Sequence, residues 1–273
     1  MNYDSPVSIH DHNRRAWDSF VAKNQRHTRP AKDDEFNNPL PVLDIRGWLG
    51  GSVVGKRLLC LAAGGGRQSA LYAAAGALVT VVDLSPAMLA LDREVARERG
   101  LEIRVIEASM DDLSVLDSGS FDIVIHPVST CYIPDIRPVY REVARVTTAG
   151  GMYISQHKQP VSMQTEPTPG ARGYEITEPY FRTGPLPAVT GSMHREPGTM
   201  EFLHRWDELI GEMLLAGFVL EALSEPYHGG DTAPASGTFA HRSRYVPPYV
   251  RMKARRTGAS SANDPPRKKM WMP

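Results

Sequence analysis

Residues 59–70 read LCLAAGGGRQSA and residues 77–83 read ALVTVVD. The first stretch leaves a short apolar run, passes through Gly64-Gly65-Gly66 and enters an alanine-rich segment. The second is another apolar run, ending on the carboxylate of Asp83, 17 residues past Gly66. Apolar runs this short suit strands buried on both faces. Glycines let the backbone turn tightly and approach a ligand with no Cβ in the way. The start of the following helix presents free N–H groups to an anion. A carboxylate closing the next strand can accept the hydroxyl protons of a ribose. Together these features predict a nucleoside-containing ligand at the C-terminal edge of a parallel sheet. The alternative is a glycine-rich turn and helix cap with no ligand.

The pattern continues outward. Arg57–Leu61, Ala77–Val82, Ile103–Ile106, Asp122–His126 and Gly151–Ser155 read as five strands. Between them lie helices at Gln68–Ala75, Pro86–Arg99 and Asp135–Val146. The second helix has Ser85 as N-cap, Pro86 at its first position and Gly100 at its end. Alternating strands and helices imply right-handed crossovers and a parallel sheet. Upstream, HDHNRRAWDSFVAK (10–23) places Ala16, Trp17, Phe20 and Val21 at helical spacing. Residues 1–50 are thus expected to form a helical lead-in or cap, and 51–253 the main domain. Residues 158–200 hold seven prolines and five glycines, which predicts a functional insertion or lid. Met200–Ala216 is amphipathic and is expected as a helix. Phe218–Ala222 and Ser243–Lys253 are expected as a hairpin-like pair of strands, and 254–273 as a disordered basic tail.

Bulk properties exclude several classes. The chain has 273 residues, 31 basic and 31 acidic, so no global charge argues for nucleic acid or an anionic membrane. Two separated cysteines, Cys60 and Cys131, form neither a disulfide framework nor a zinc cluster, and no metal is expected. The N-terminus lacks the apolar core of a signal peptide, and no apolar stretch approaches the ~20 residues of a membrane span. The expected compartment is the cytoplasm.

Four motifs in order make the reading more specific. LLCLAAGGGRQS, VTVVDLSPAMLALDRE (79–94), IEASMDDL (106–113) and SFDIVIHPVSTCYIPDIRPVYREVARVTTAGGMYI (120–154) resemble the class I S-adenosylmethionine (SAM)-dependent methyltransferases of the small-molecule type. LLAGFVLEALSEP (214–226) fits the family's late strand. The resemblance covers roughly residues 10–160 and 200–253. It implies an α/β Rossmann-like fold: a seven-stranded, mostly parallel sheet with helices on both faces, an N-terminal helical cap and an irregular insertion after the fifth strand. It also implies SAM as cofactor, S-adenosylhomocysteine as product and a small-molecule acceptor methylated at O, N or S.

The same resemblance implies cofactor contacts from Trp17, Ala62, Ala63, Gly64, Gly66, Gln68, Asp83, Leu84, Met88, Ser109, Met110, His126 and Pro127. Three positions depart from the family pattern: Cys60 and Ser109 replace acidic residues, and Ala62 replaces glycine. Binding is therefore expected to lean on the backbone of 62–66 and on Asp83. His126, Tyr132 and His157 are candidates to orient or deprotonate the acceptor, the alternative for each histidine being a packing role. Tyr174, Tyr180, Phe181, His194 and Arg195 are candidates to line the acceptor pocket. Competing readings are a dinucleotide enzyme, from G-x-G-x-x-S at 64–69, a SAM-binding cyclase or lyase, and an RNA methyltransferase using the basic tail. The first lacks a second glycine-rich turn in the C-terminal half, and nucleic acid lacks a recognised binding module. Oligomeric state is open.

Overall fold

A computed structural model describes residues 8–258 except Gly191, Met193 and Asp231. In chain order the main elements are α1 (Ile9–Ala22), α2 (Pro39–Leu43), β1 (Arg57–Leu61), α3 (Gln68–Ala74), β2 (Leu78–Asp83), α4 (Pro86–Arg99), β3 (Ile103–Glu107), β4 (Phe121–His126), α5 (Arg137–Val146), β5 (Thr147–Lys158), α6 (Pro160–Gln164), α7 (Glu212–Leu215), β6 (Phe218–Ser224), α8 (Phe239–Ser243) and β7 (Tyr249–Arg256). The strands form one seven-stranded sheet in the order β3-β2-β1-β4-β5-β7-β6. β1 to β5 run parallel, and β7 is antiparallel to both β5 and β6.

Side-chain alternation along β1 divides the core. Leu59 and Leu61 point into one layer with Val139, Tyr140 and Val143 of α5 and Met213 of α7. Leu58 and Cys60 point into the other with Tyr72 of α3 and Leu89 of α4. Burial on both faces explains why these strands read as continuous apolar runs. Local signals set the helix ends. The Ser85 hydroxyl accepts the Met88 N–H at 3.1 Å, and Gly100 closes α4 at φ +62°. β1 lies between β2 and β4, so the chain reverses its direction across the sheet there. The crevice outside the C-terminal strand ends at such a point is where α/β sheets bind ligands.

Several boundaries differ from the sequence reading. Helical structure near 207 begins only with a π-helical turn, Asp207–Gly211, leading into α7. Residues 200–205 are not helical because their backbone is used elsewhere: the Phe202 N–H donates to Cys131 O and Glu201 O accepts from Leu186 N–H, both at 2.7 Å. The last strand starts at Tyr249, after Pro247-Pro248, which cannot donate to a ladder. Residues 243–248 are a helix end and turn, whereas 254–256 belong to β7. The remainder of the expected tail, from residue 259, lies outside the described residues. Among the described residues no helix is long and apolar enough to cross a membrane.

The stretch after β5 is tied down by Arg242 of α8, which is 1% exposed. Its guanidinium donates to the carbonyls of Ser162, Thr165 and Glu166 and to the Ser162 hydroxyl, at 2.8–3.0 Å. An Arg242→Met chain keeps much of the apolar stem but strands these acceptors, a loss of about 2–4 kcal/mol. Limited proteolysis is expected to cut the variant within 165–190 before the wild type. Equal protection of the two chains would show that Arg242 is not what holds this segment.

Candidate active site

The glycine loop is shaped by α4 behind it. A Cβ on Gly64 would lie 2.8 Å from Met88 Cβ and 3.0 Å from Asp83 Oδ2. Gly66, at φ +70°, would place one 2.9 Å from the Leu91 carbonyl. Ala62 also takes a left-handed conformation, φ +48°, in which a Cβ is strained.

Two carboxylates then occupy the loop's donors. Gly64 N–H donates to Asp83 Oδ2 at 2.9 Å, and Gly65 N–H donates to Asp92 Oδ2 at 2.9 Å. Asp92 is fully buried and also accepts from the Ser69 hydroxyl. Burial pushes its pKa up to about 6, against the hydrogen bonds that pull it down. The expected reliance of binding on the backbone of 62–66 therefore cannot draw on the N–H groups of Gly64 and Gly65, which are already paired. Asp83 accepts the Ser85 N–H through its other oxygen at 2.9 Å and faces a cavity. Burial raises its pKa too, opposed by the backbone N–H groups it accepts.

Two cavities meet at this edge of the sheet. A narrow slot is lined by His10, Asn13 and Trp17 of α1, by Ala62, Asp83, Leu84 and Met88, by Ser109 and Met110, and by Ser129 and Tyr132. A larger cavity of about 730 Å³ runs from Ala62–Gly65, Arg67 and Gln68 past Pro127 to Tyr132, Glu196, His228, Phe239 and Tyr249. Trp17, Ala62, Met88, Val128 and Tyr132 line both. α1 is held across the slot by Asp18, which accepts from the Ser85 hydroxyl at 2.6 Å, and by Asn13.

A family model described as a methyltransferase domain matches residues 59–155. The uncharacterized methyltransferase YbaJ of Bacillus subtilis is 34% identical over 232 residues, which cover 80% of this chain and 91% of YbaJ. The chain belongs to the class I SAM-dependent methyltransferases. The architecture agrees. A SAM-dependent methyltransferase from Mesorhizobium loti aligns with a TM-score of 0.61 at 22% identity, over 81% of this chain and 100% of that one. A ubiquinone biosynthesis O-methyltransferase of Bordetella pertussis is 32% identical over 117 residues, 42% of this chain and 47% of that enzyme.

SAM is the cofactor of this methyltransferase, and the residues present fit it. The orientation of Asp83 suits a ribose at the slot, because each carboxylate oxygen retains a lone pair beyond its backbone bond. Leu84, Met88 and Met110 give the slot apolar walls of the kind that suit an adenine. Trp17 stands edge-on to Tyr132, centroids 5.7 Å apart, where slot and cavity join. Aromatic faces there suit a sulfonium cation.

The structure separates the remaining candidates. Ala63, Gln68 and Pro127 line the larger cavity, whereas Gly66 lines neither and packs on α4. The Ser109 hydroxyl donates to Asp111, which in turn pairs with His10 Nε2 at 3.1 Å. The carboxylate of this loop therefore stands two residues later than the family pattern puts it. Tyr132 is in the wall of both cavities. His126 and His157 are not: His126 bonds Tyr153 and Ser129, and His157 bonds Thr130 and Ser155, at 2.7–2.9 Å. Both rings are buried, and burial pulls His126 down to about 3 and His157 well below its ordinary value. Tyr174 bonds His241, Tyr180 accepts from the Trp206 N–H, Phe181 is exposed, His194 stacks on Phe239 and Arg195 pairs with Glu201. None of the five lines the larger cavity, and Glu196 does. Asp92, Glu196, His228, Phe239 and Tyr249 were not singled out from sequence. Asp92 lies within the 79–94 stretch but carries no local mark of its contact with Gly65, and the other four are brought to one cavity only by the fold.

Asp83→Ala is expected to weaken SAM binding about 10- to 100-fold by calorimetry. Unchanged affinity would misplace the ribose. Asp92 gives a pH signature. Its carboxyl keeps its proton in the fold up to about pH 6, against an ordinary 3.8. The stability from the protonated form is present in full below the ordinary pKa and is lost as pH rises through 6, about 3 kcal/mol in all. Asp92→Asn should flatten the fall in melting temperature between pH 4 and pH 7; an unaltered slope would exclude Asp92 as its source.

Proposed function

We propose that this enzyme transfers the methyl group of SAM to an O, N or S atom of a small-molecule acceptor bound in the larger cavity. The observation that carries this reading is the cavity itself: about 730 Å³, opening from the glycine loop and walled by Tyr132, Phe239 and Tyr249. That volume is in the range of small-molecule sites. The cofactor supplies a methyl group already activated on a sulfonium, so the protein's part is largely alignment.

Tyr132 and Glu196 do the aligning. The Tyr132 hydroxyl donates to Glu196 Oε2 at 2.9 Å. Burial together with Glu196 pushes the Tyr132 pKa well above its ordinary value, so it orients rather than deprotonates. Burial opposes the charge on Glu196, but Lys158 Nζ, bonded to it at 2.5 Å, holds its carboxyl below the usual range. Lys158 also bonds Glu201, which pairs with Arg195. Two cations and two carboxylates thus balance behind the cavity wall. An ionised Glu196 accepts a hydrogen bond from an acceptor O–H or N–H but is a weak base. This favours acceptors that lose a proton readily or react through a lone pair. In this reading His126 and His157 pack the β4–β5 ends and do not reach the atom to be methylated, although His126 also stands in the wall of a smaller neighbouring cavity. The two buried thiols, Cys60 and Cys131, suit the reducing cytoplasm in which we place the enzyme.

Incubation with labelled SAM and a panel of phenols, amines and thiols should release S-adenosylhomocysteine. Tyr132→Phe should lower kcat/KM about tenfold or more while SAM affinity stays within about twofold. A SAM-derived product other than S-adenosylhomocysteine would overturn methyl transfer, and undiminished turnover in Tyr132→Phe would remove Tyr132 from the acceptor site.

A further inference from the structure

The chain is neutral overall, with 31 basic and 31 acidic side chains, but its cavities are not. The larger cavity has Arg26, His27, Arg29 and Arg67 in its wall. Arg67 is matched by Glu35, and Glu196 on the opposite wall is matched by Lys158. Arg26 and Arg29 have no carboxylate partner among the described residues. Their segment packs on the glycine loop, where Ala31 N–H donates to Gly66 O at 3.3 Å. Because Gly64 and Gly65 spend their N–H groups on Asp83 and Asp92, a cofactor carboxylate at this loop needs other donors. Arg26, His27 and Arg29 supply them, and the single carboxylate of SAM accounts for this cluster.

It does not account for a second one. A further cavity of about 280 Å³ shares Arg67, Gln68, Pro127 and Gln156 with the larger cavity and is lined beyond them by Arg46, Arg251, Trp48 and Tyr72. Arg251 of β7 is half-buried, and its Nε donates to Gln156 Oε1 at 2.7 Å. Its terminal Nη1 and Nη2 have no acceptor among the described residues. Arg46 donates to the hydroxyl of Ser224, which faces Arg251 across the β6–β7 ladder. Neither guanidinium has a carboxylate partner among the described residues. Burial, and then the charge of Arg46, pull the Arg251 pKa below its ordinary value. Asp44 is the carboxylate in this wall, but its two oxygens accept the Trp48 and Leu49 N–H groups at 2.8 Å. Arg46 is exposed and Arg251 half-buried, and an anion between the two guanidiniums would relieve the like-charge repulsion felt by Arg251. Their planar forks suit a carboxylate or phosphate.

We infer that the acceptor is an anion, and that Arg251 and Arg46 grip its carboxylate or phosphate group in this second cavity. The body of the acceptor passes Pro127 and Gln156, and the atom to be methylated lies in the larger cavity beside Tyr132. The acceptor's identity as the ligand rests on the proposed methyl transfer; the anion site does not.

The test titrates the full chain, saturated with S-adenosylhomocysteine, with inorganic phosphate, pyrophosphate or succinate at low ionic strength. The filled cofactor site keeps Arg26 and Arg29 engaged. At least one of these anions should bind, and Arg251→Gln and Arg46→Gln should each weaken it about tenfold or more, while S-adenosylhomocysteine affinity changes less than about twofold. Arg251→Lys serves as a folding check, and Arg46→Gln stands on its own if the strand variant fails to fold. Binding of the phosphates alone marks a phosphate-bearing acceptor, and binding of succinate alone a carboxylate. The inference is overturned if no anion binds, or if both glutamine variants bind as the wild type does. A chain that binds S-adenosylhomocysteine but never forms it from SAM fails the methyl-transfer reading and leaves the anion measurement intact.

Discussion

The site depends on two carboxylates reaching into one loop. Asp83 comes from the end of β2 and Asp92 from the second turn of α4, and each accepts one glycine N–H. The loop between β1 and α3 is thereby held from two sides. The glycines allow α4 to approach closely enough for this, since Cβ atoms on Gly64 and Gly66 would meet Met88 and Leu91. Asp83 carries two tasks. It fixes the loop and stands in the wall of the slot, so a ribose bound there as expected would meet a carboxylate already positioned by the hydrogen bonds that close the turn. A buried, fully bonded carboxylate keeps such a turn rigid because leaving either partner unmet is costly.

Charge is distributed by function and not by surface area. The Lys158, Arg195, Glu196 and Glu201 cluster is balanced internally and gives the larger cavity an ionised wall without net charge behind it. The arginines at 26, 29, 46 and 251 are left without carboxylates on the cavity side. A composition with equal acids and bases hides this segregation, which arises only when β7, the 26–29 segment and α2's C-terminal turn are brought to one edge.

The parts legible in the sequence were those with a local period or a local chemical signature. β1, β2 and β4 are buried on both faces and read as uninterrupted apolar runs, and α4 carries its N-cap and its terminating glycine in plain view. Asp83 was legible because it closes one of these runs. The parts that were not legible depend on distant partners. Residues 200–205 have helical spacing but are held out of a helix by Cys131 and Leu186. Asp92 looks like an ordinary polar residue on an amphipathic helix, and nothing nearby in sequence shows that it faces Gly65 and Ser69. The histidines ending β4 and β5 stand where the strands point at the site, yet their rings turn to hydroxyls on neighbouring elements. Loop order along the chain does not reveal that Glu196, Phe239 and Tyr249 share a wall.

Asn13 links the two halves of the site more directly than any shared wall does. From α1 its amide donates to the carbonyls of Tyr132 and Met200, and its oxygen accepts the Met200 N–H at 2.8 Å. One buried side chain therefore joins the helix over the slot to the backbone of Tyr132 and to Met200. α1, the backbone of Tyr132 and the backbone of Met200 are held to one another by the three bonds of this one side chain. The seating of α1 over the slot and the firmness of the Tyr132 wall are thus tied to one and the same amide.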